Sequence, residues 1–154
     1  MEERSPFTHI LVPTDGSETS INAGRLAIQI AVLHNIPITF VYVVDSAVVD
    51  EIAGVTSKTA EMVHCELEAK GRRYLGYLSR LARDRGLQTD QVVRHGIPHS
   101  EIANLAGEQG IDLIVIGQVG RHGPRRVLIG SVAERVIEYA PCPVLVVRHT
   151  PIRR

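Results

Sequence analysis

Four residues near the C-terminal end of the chain have the types and spacing to hold a phosphate. Gly117 and Gly120 are followed, after nine residues, by Gly130-Ser131, with Arg121, Arg125 and Arg126 between them. Glycine lets a backbone approach an anion closely and take up positive φ. A serine at the start of a helix can cap that helix, or donate its hydroxyl to a phosphate bound at the helix N-terminus. The spacing excludes two common phosphate motifs. A Walker A loop needs a lysine before the Ser/Thr, and Gly130-Ser131 has none. A dinucleotide fingerprint needs G-x-G-x-x-G, which Gly117, Gly120 and Gly123 do not make.

Such a loop works only if a strand delivers it and a helix receives it. Leu113 to Ile116 is an apolar run expected to be a strand buried on both faces, and a helix is expected from near Ser131, with Ser131 as its N-cap. Val132, Ala133, Val136 and Ile137 are expected to face inward. Upstream, Thr8–Pro13 reads as a strand broken by Pro13-Thr14-Asp15-Gly16-Ser17, with Ser17 as the next N-cap. Ile38–Val44 reads as a second buried strand and Gln91–Arg94 as a short third one. Helices are expected between them: Ile21, Gly24, Ile28, Ala31 and Val32 recur at helical spacing, and a long helix spans about Thr59 to Arg85, ended by Gly86. Ala47–Ser57 reads as a loop. A short helix follows Pro98, and Val144–Val147 is the fifth strand.

Alternating strands and helices predict an α/β fold: one open five-stranded parallel sheet with helices on both faces. In such sheets a ligand sits beyond the C-terminal strand ends, where the winding reverses. Residues fit for a site end strand one (Pro13, Thr14, Asp15, Gly16) and strand four (Gly117, Gln118, Val119, Gly120). If these strands are neighbours, the order is 3-2-1-4-5 and the two clusters face one crevice.

The totals narrow the function. The chain has 154 residues, which suits one domain (1–154, core about 8–148), with 17 basic residues against 17 acidic. A balanced charge and the scarcity of aromatics, with no Trp, argue against nucleic acid. No apolar run approaches membrane-spanning length and no secretory leader is visible, so no membrane partner and a cytoplasmic location are expected. Cys65 and Cys142 are expected to be buried free thiols. The seven histidines are scattered, and no pair has metal-ligand spacing on an expected element. Asp45 is expected to cap the end of strand two.

In order along the chain, ILVPTDGSETS, GIPHSEIANLA, IDLIVIG, the G-x2-G-x9-G-S loop with VAERVI after it, and PCPVLVV resemble the universal stress proteins, in particular their ATP-binding subgroup. The resemblance covers about Thr8 to Val147. It implies a Rossmann-like fold of the adenine nucleotide α-hydrolase type, binding ATP (AMP, ADP or cAMP being alternatives), with Mg or Mn at the phosphates. Asp15 would meet the ribose or that metal, with Pro13 and Thr14 beside it. Val43 would line the adenine slot, Ile116 and Gly117 would close on base and sugar, and Gly120 and Arg121 would lie at the phosphates. Gly130, Ser131 and Val132 would hold the β- and γ-phosphates. Ala133 stands where some relatives carry a hydroxyl. The implied role is nucleotide-responsive regulation through a protein partner that the sequence does not name. Val144–Val147 would be an open sheet edge, expected to pair in a homodimer. A slow ATPase or nucleotide hydrolase, and a ligand-free scaffold, are the other readings. Against catalysis, the loop has no lysine and no evident base aimed at a water.

Overall fold

The computed structural model describes residues 3–119 and 129–148. The elements are β1 (Ile10–Pro13), α1 (Glu18–His34), β2 (Ile38–Asp45), α2 (Ser46–Val55), α3 (Ala60–Asp84), β3 (Thr89–Gly96), α4 (Pro98–Glu108), β4 (Leu113–Gly117), α5 (Ser131–Tyr139) and β5 (Val144–Val147). The strands form one sheet in the order β3-β2-β1-β4-β5, as expected. Every neighbouring pair is parallel.

Alternation along β2 divides the core. Phe40, Tyr42 and Val44 point to the face covered by α1 and α3, packing with Ala27 and Ile28 of α1 and Leu75 and Leu78 of α3. Val41 and Val43 point to the other face, with Leu11, Ile114 and Ile116, under Ile102 and Leu105 of α4 and Ala133 and Val136 of α5. Strands buried on both faces read as unbroken apolar runs, which is why β1, β2 and β4 are plain in the sequence.

The helices start and stop on local chemistry. Ser17, Asp45 and Thr59 cap α1, α2 and α3, their side chains accepting the N–H of Ser20, Ala47 and Met62. Gly86, at φ +80°, ends α3 as expected. Gly71 lies inside α3 without interrupting it, because Tyr42 occupies the space its side chain would take; an added Cβ would lie 2.2 Å from the Tyr42 ring.

Four expectations need correction. Ala47–Ser57 is not a loop: Ser46–Val55 is α2, started by the Asp45 cap and anchored by the buried Val49. β3 is eight residues long and not four, its polar ends hidden from the apolar pattern because it is an edge strand. Cys65 is exposed and Cys142 half-buried; burial, followed by the charge of Asp112, raises the Cys142 thiol pKa. Val132 and Ile137 face outward, leaving Ala133 and Val136 as the inward stripe of a nine-residue helix.

At the N-terminal end of the sheet, Asp112 fastens β1 to β4. Its carboxylate accepts the Thr8 amide and hydroxyl (2.8 and 2.7 Å) and the His9 amide (3.1 Å). Partial burial works against the charged form, but these hydrogen bonds outweigh it and hold the Asp112 pKa below the ordinary value. His9 Nε2 lies 2.8 Å from the buried Thr39 hydroxyl, which donates to Gln109 at 3.0 Å. Burial lowers the His9 pKa, against the pull of Asp90 and Asp112. A cleft of 380 Å³ opens at this end beside His9, Arg83 and Asp90, away from the candidate residues.

Candidate functional site

β1 and β4 lie side by side but pair only at Ile10↔Leu113 and Leu11↔Ile114. Beyond that, each strand holds to its other neighbour. β1 stays on β2 through Pro13↔Val41, and the Thr14 amide donates to the Val41 carbonyl at 2.9 Å. β4 stays on β5 to Gly117↔Val147, and the Gln118 amide donates to the Val147 carbonyl at 2.8 Å. The two strands therefore part at their C-terminal ends, where the winding reverses. That is the position a ligand takes in an open α/β sheet.

The β1 wall is fixed by its own hydrogen bonds. Thr14 is buried, its hydroxyl 3.0 Å from that of Ser20 and accepting the Gly16 amide at 3.2 Å. Asp15 is half-buried, and one carboxylate oxygen accepts the Ser17 amide at 2.9 Å. This closes a tight turn over which Gly16 takes φ +81°, with the Tyr74 ring 2.2 Å from where a Cβ would stand. Val43 lies two residues past the Pro13 partner Val41, on the face shared with Ile116, and is half-buried.

The β4 wall begins at Ile116, which is buried, and Gly117. A Cβ on Gly117 would meet Thr19 Cγ2 at 2.9 Å and the Ser20 amide nitrogen at 3.2 Å, so only glycine lets the end of β4 lie against the first turn of α1. Gly120 and Arg121, and with them Arg125 and Arg126, lie outside the described residues. The chain is next described at Ile129. The Gly130 amide donates to the Gln118 carbonyl at 2.6 Å, returning the head of α5 to the end of β4.

That head is unlike those of α1, α2 and α3. Its N-cap is Gly130 and not Ser131, a correction to the sequence reading. Glycine has no side chain to accept the first amides. Glu134 is the first residue whose amide finds its partner inside the helix, the Gly130 carbonyl at 2.9 Å. The amides of Ser131, Val132 and Ala133 therefore have no acceptor within α5, at the positive end of its dipole. Ser131 is exposed there, with its hydroxyl beside them. α4 also starts without a side-chain cap, but Pro98 at its head removes a donor.

The structure thus brings together Pro13, Thr14, Asp15, Val43, Ile116, Gly117, Gly130, Ser131 and Val132 at one end of the sheet. Sequence reasoning missed Thr19, Ser20 and Tyr74. The first two carry a helix-start signal only, and Tyr74 meets Gly16 solely through packing of α3. Among the described residues no group of three or more His, Cys, Asp or Glu side chains could hold a metal. No helix there is long and apolar enough to cross a membrane.

Comparison with known proteins agrees with this architecture. The profile of the universal stress protein family matches residues 6–148. The universal stress protein MJ0531 of Methanocaldococcus jannaschii is 37% identical over 143 residues, covering 92% of this chain and 82% of that protein. The solved structure of the protein MJ0577, for which M. jannaschii is also the source, superposes with a TM-score of 0.83 at 26% identity, covering 96% of this chain and 99% of the other. A universal stress protein solved in complex with cAMP superposes with a TM-score of 0.72, also at 26% identity, covering 96% and 100%. With a family match that spans nearly its whole length, the chain belongs to the universal stress protein family.

Proposed function

We propose that the protein binds an adenine nucleotide, ATP foremost, in the crevice between the C-terminal ends of β1 and β4. The observation that carries this is the open head of α5. The first three amides of α5 have no acceptor within the helix and no side-chain cap, Ser131 beside them is exposed, and the Gly130–Gln118 hydrogen bond fastens that head to the end of β4. Helix N-termini of this kind are ready anion sites. The base would lie toward Val43 and Ile116, and the ribose toward Asp15 and Gly117. Gly120 and Arg121 would close over the phosphates. The relative in complex with cAMP supports an adenine ligand on this fold.

A divalent ion such as Mg²⁺ or Mn²⁺ fits here only as a companion of the nucleotide. Asp15 is the single carboxylate at the crevice proposed to meet it, and one of its oxygens is already engaged by the Ser17 amide. The ion would be held mainly by phosphate oxygens and would neutralise their charge. The proposed role is regulatory, in which nucleotide occupancy changes the surface offered to a partner protein.

A homodimer is part of the proposal. β5 is an edge strand with Leu145 37% exposed, and α5 beside it exposes Ile137 and Tyr139. Pairing two β5 edges would cover both.

Equilibrium titration of the purified protein with ATP, ADP, AMP and cAMP tests the binding. Saturable binding with ATP the tightest is expected, and no binding of any of the four at millimolar concentration would sink the proposal. Sedimentation of Leu145→Lys tests the dimer, which that charge should disperse.

A further inference from the structure

We propose that His64 and His95 form a two-histidine chelate for a divalent transition ion of the Cu²⁺ or Ni²⁺ kind. The site lies on the β3 edge of the sheet and does not depend on the nucleotide reading. His64 is on α3 and His95 on β3, and their ring centroids are 4.3 Å apart with the planes tilted by 50°. Both come from regular elements held by the core. Val63, next to His64, is fully packed inside, and His95 stands opposite Val44, whose side chain faces α3. His95 is exposed and His64 half-buried, so an ion can reach the pair from solvent.

The spacing selects the ion. An imidazole nitrogen binds a first-row metal at ~2.0–2.1 Å, which puts each ring centre roughly 3.2 Å from the metal. Two rings at right angles about the metal then have centres ~4.5 Å apart, and two at the tetrahedral angle ~5.2 Å. The observed 4.3 Å is nearer the separation for the right-angled arrangement of tetragonal or octahedral ions than that for the tetrahedral one. Glu68, one turn further along α3, is committed to Arg72 at 2.9 Å. No third His, Cys, Asp or Glu completes the group among the described residues. Water would fill the remaining positions, as Cu²⁺ and Ni²⁺ accept with nitrogen and oxygen donors. Cu²⁺ should bind more tightly than Ni²⁺. The bound ion would clip α3 to the edge strand.

The test uses the full chain without a polyhistidine tag, titrated with Ni²⁺ by calorimetry and loaded with Cu²⁺ for electron paramagnetic resonance. One site with two imidazole nitrogens is expected. His64→Gln and His95→Gln should each weaken it by at least about tenfold. The double variant should be no weaker than either single one, because one ligand alone makes no chelate. Melting without metal shows whether each variant folds, and Ni²⁺ should raise the melting temperature of the parent only. If either single variant folds and keeps the parent affinity, or the resonance shows one nitrogen, the pair is a ring contact and the inference fails. Should one variant not fold, the nitrogen count in the parent decides alone.

Discussion

Replacing Ser131 by aspartate should separate stability from nucleotide binding. Ser131 is the first residue of α5 and is exposed, so a larger side chain meets no packing cost. A carboxylate in the first turn complements the dipole and contributes about 0.3–1 kcal/mol. For a chain of this size each kcal/mol moves the melting temperature by roughly 2–4 °C, so Ser131→Asp should melt about 0.6–4 °C higher. The same charge would face the phosphates proposed to sit on the amides of Ser131, Val132 and Ala133. Two like charges ~5 Å apart near a protein surface repel by about 3 kcal/mol. ATP affinity should therefore fall by roughly a hundredfold. Salt screens this repulsion, so the loss should shrink as ionic strength rises. Ser131→Ala removes one hydroxyl and should cost only about 1 kcal/mol of binding, or ~5-fold. Calorimetric titration at two salt concentrations, with thermal unfolding of the same samples, reads both effects. If Ser131→Asp is more stable yet binds ATP like the parent, the phosphate does not sit on α5. If stability and binding fall together, the site was lost through misfolding, and the charge argument is wrong.

Other consequences concern the scaffold. Gly71→Ala and Gly76→Ala make the same change within α3 but should differ in sign. No described residue lies within 4 Å of a Cβ at Gly76, so that variant should gain about 0.5–1 kcal/mol; at Gly71 the Tyr42 ring stands 2.2 Å away, and a net loss of about 1–2 kcal/mol is expected by urea unfolding. Ser79 is fully buried and its hydroxyl has no hydrogen-bond partner among the described residues, so Ser79→Ala should stabilise by about 1 kcal/mol in the same assay. Acid should weaken the fold in two stages. The lowered His9 pKa makes folding less favourable as pH falls below about 6.5, the value in the unfolded chain. The lowered Asp112 pKa gives stability that is whole above about 4 and is lost as pH falls through its folded value. In a plot of unfolding free energy against pH, Asp112→Asn should remove the second stage and deepen the first, because it also takes away one of the charges that raise the His9 pKa.

Elements with one dominant force were legible in the sequence. β1, β2 and β4 are apolar because both faces are covered, and the signals at Ser17, Pro98 and Gly86 mark element ends that the structure keeps. The strand order followed from where Asp15 and Gly117 fall. What escaped depends on distant parts of the chain. α2 was missed because an amphipathic stretch with one buried anchor, Val49, resembles a loop. β3 looked shorter because an edge strand tolerates polar residues. Ser131 passed for the N-cap because its residue type suits capping, whereas the backbone gives that place to Gly130. The contacts of Tyr74 with Gly16, and of Thr19 with Gly117, arise only when α3 and α1 dock. The His64–His95 pair was invisible for the same reason.

The parting of β1 from β4 also bears on how the molecule assembles. Residues 10–96 contain β1, β2 and β3 with α1 to α3, and can pair among themselves as they leave the ribosome. β4, which carries β5 at its other side, must then find β1 across more than a hundred residues, the kind of long-range parallel closure that is slow in folding. Asp112, bonded to Thr8 and His9, is the clasp of that final docking. One wall of the crevice belongs to the early half of the chain and the other to the late half, so the cavity exists only once both have met. A ligand bridging the walls would have little to hold before that moment. It would act as a latch on the finished molecule, slowing its opening rather than speeding its formation.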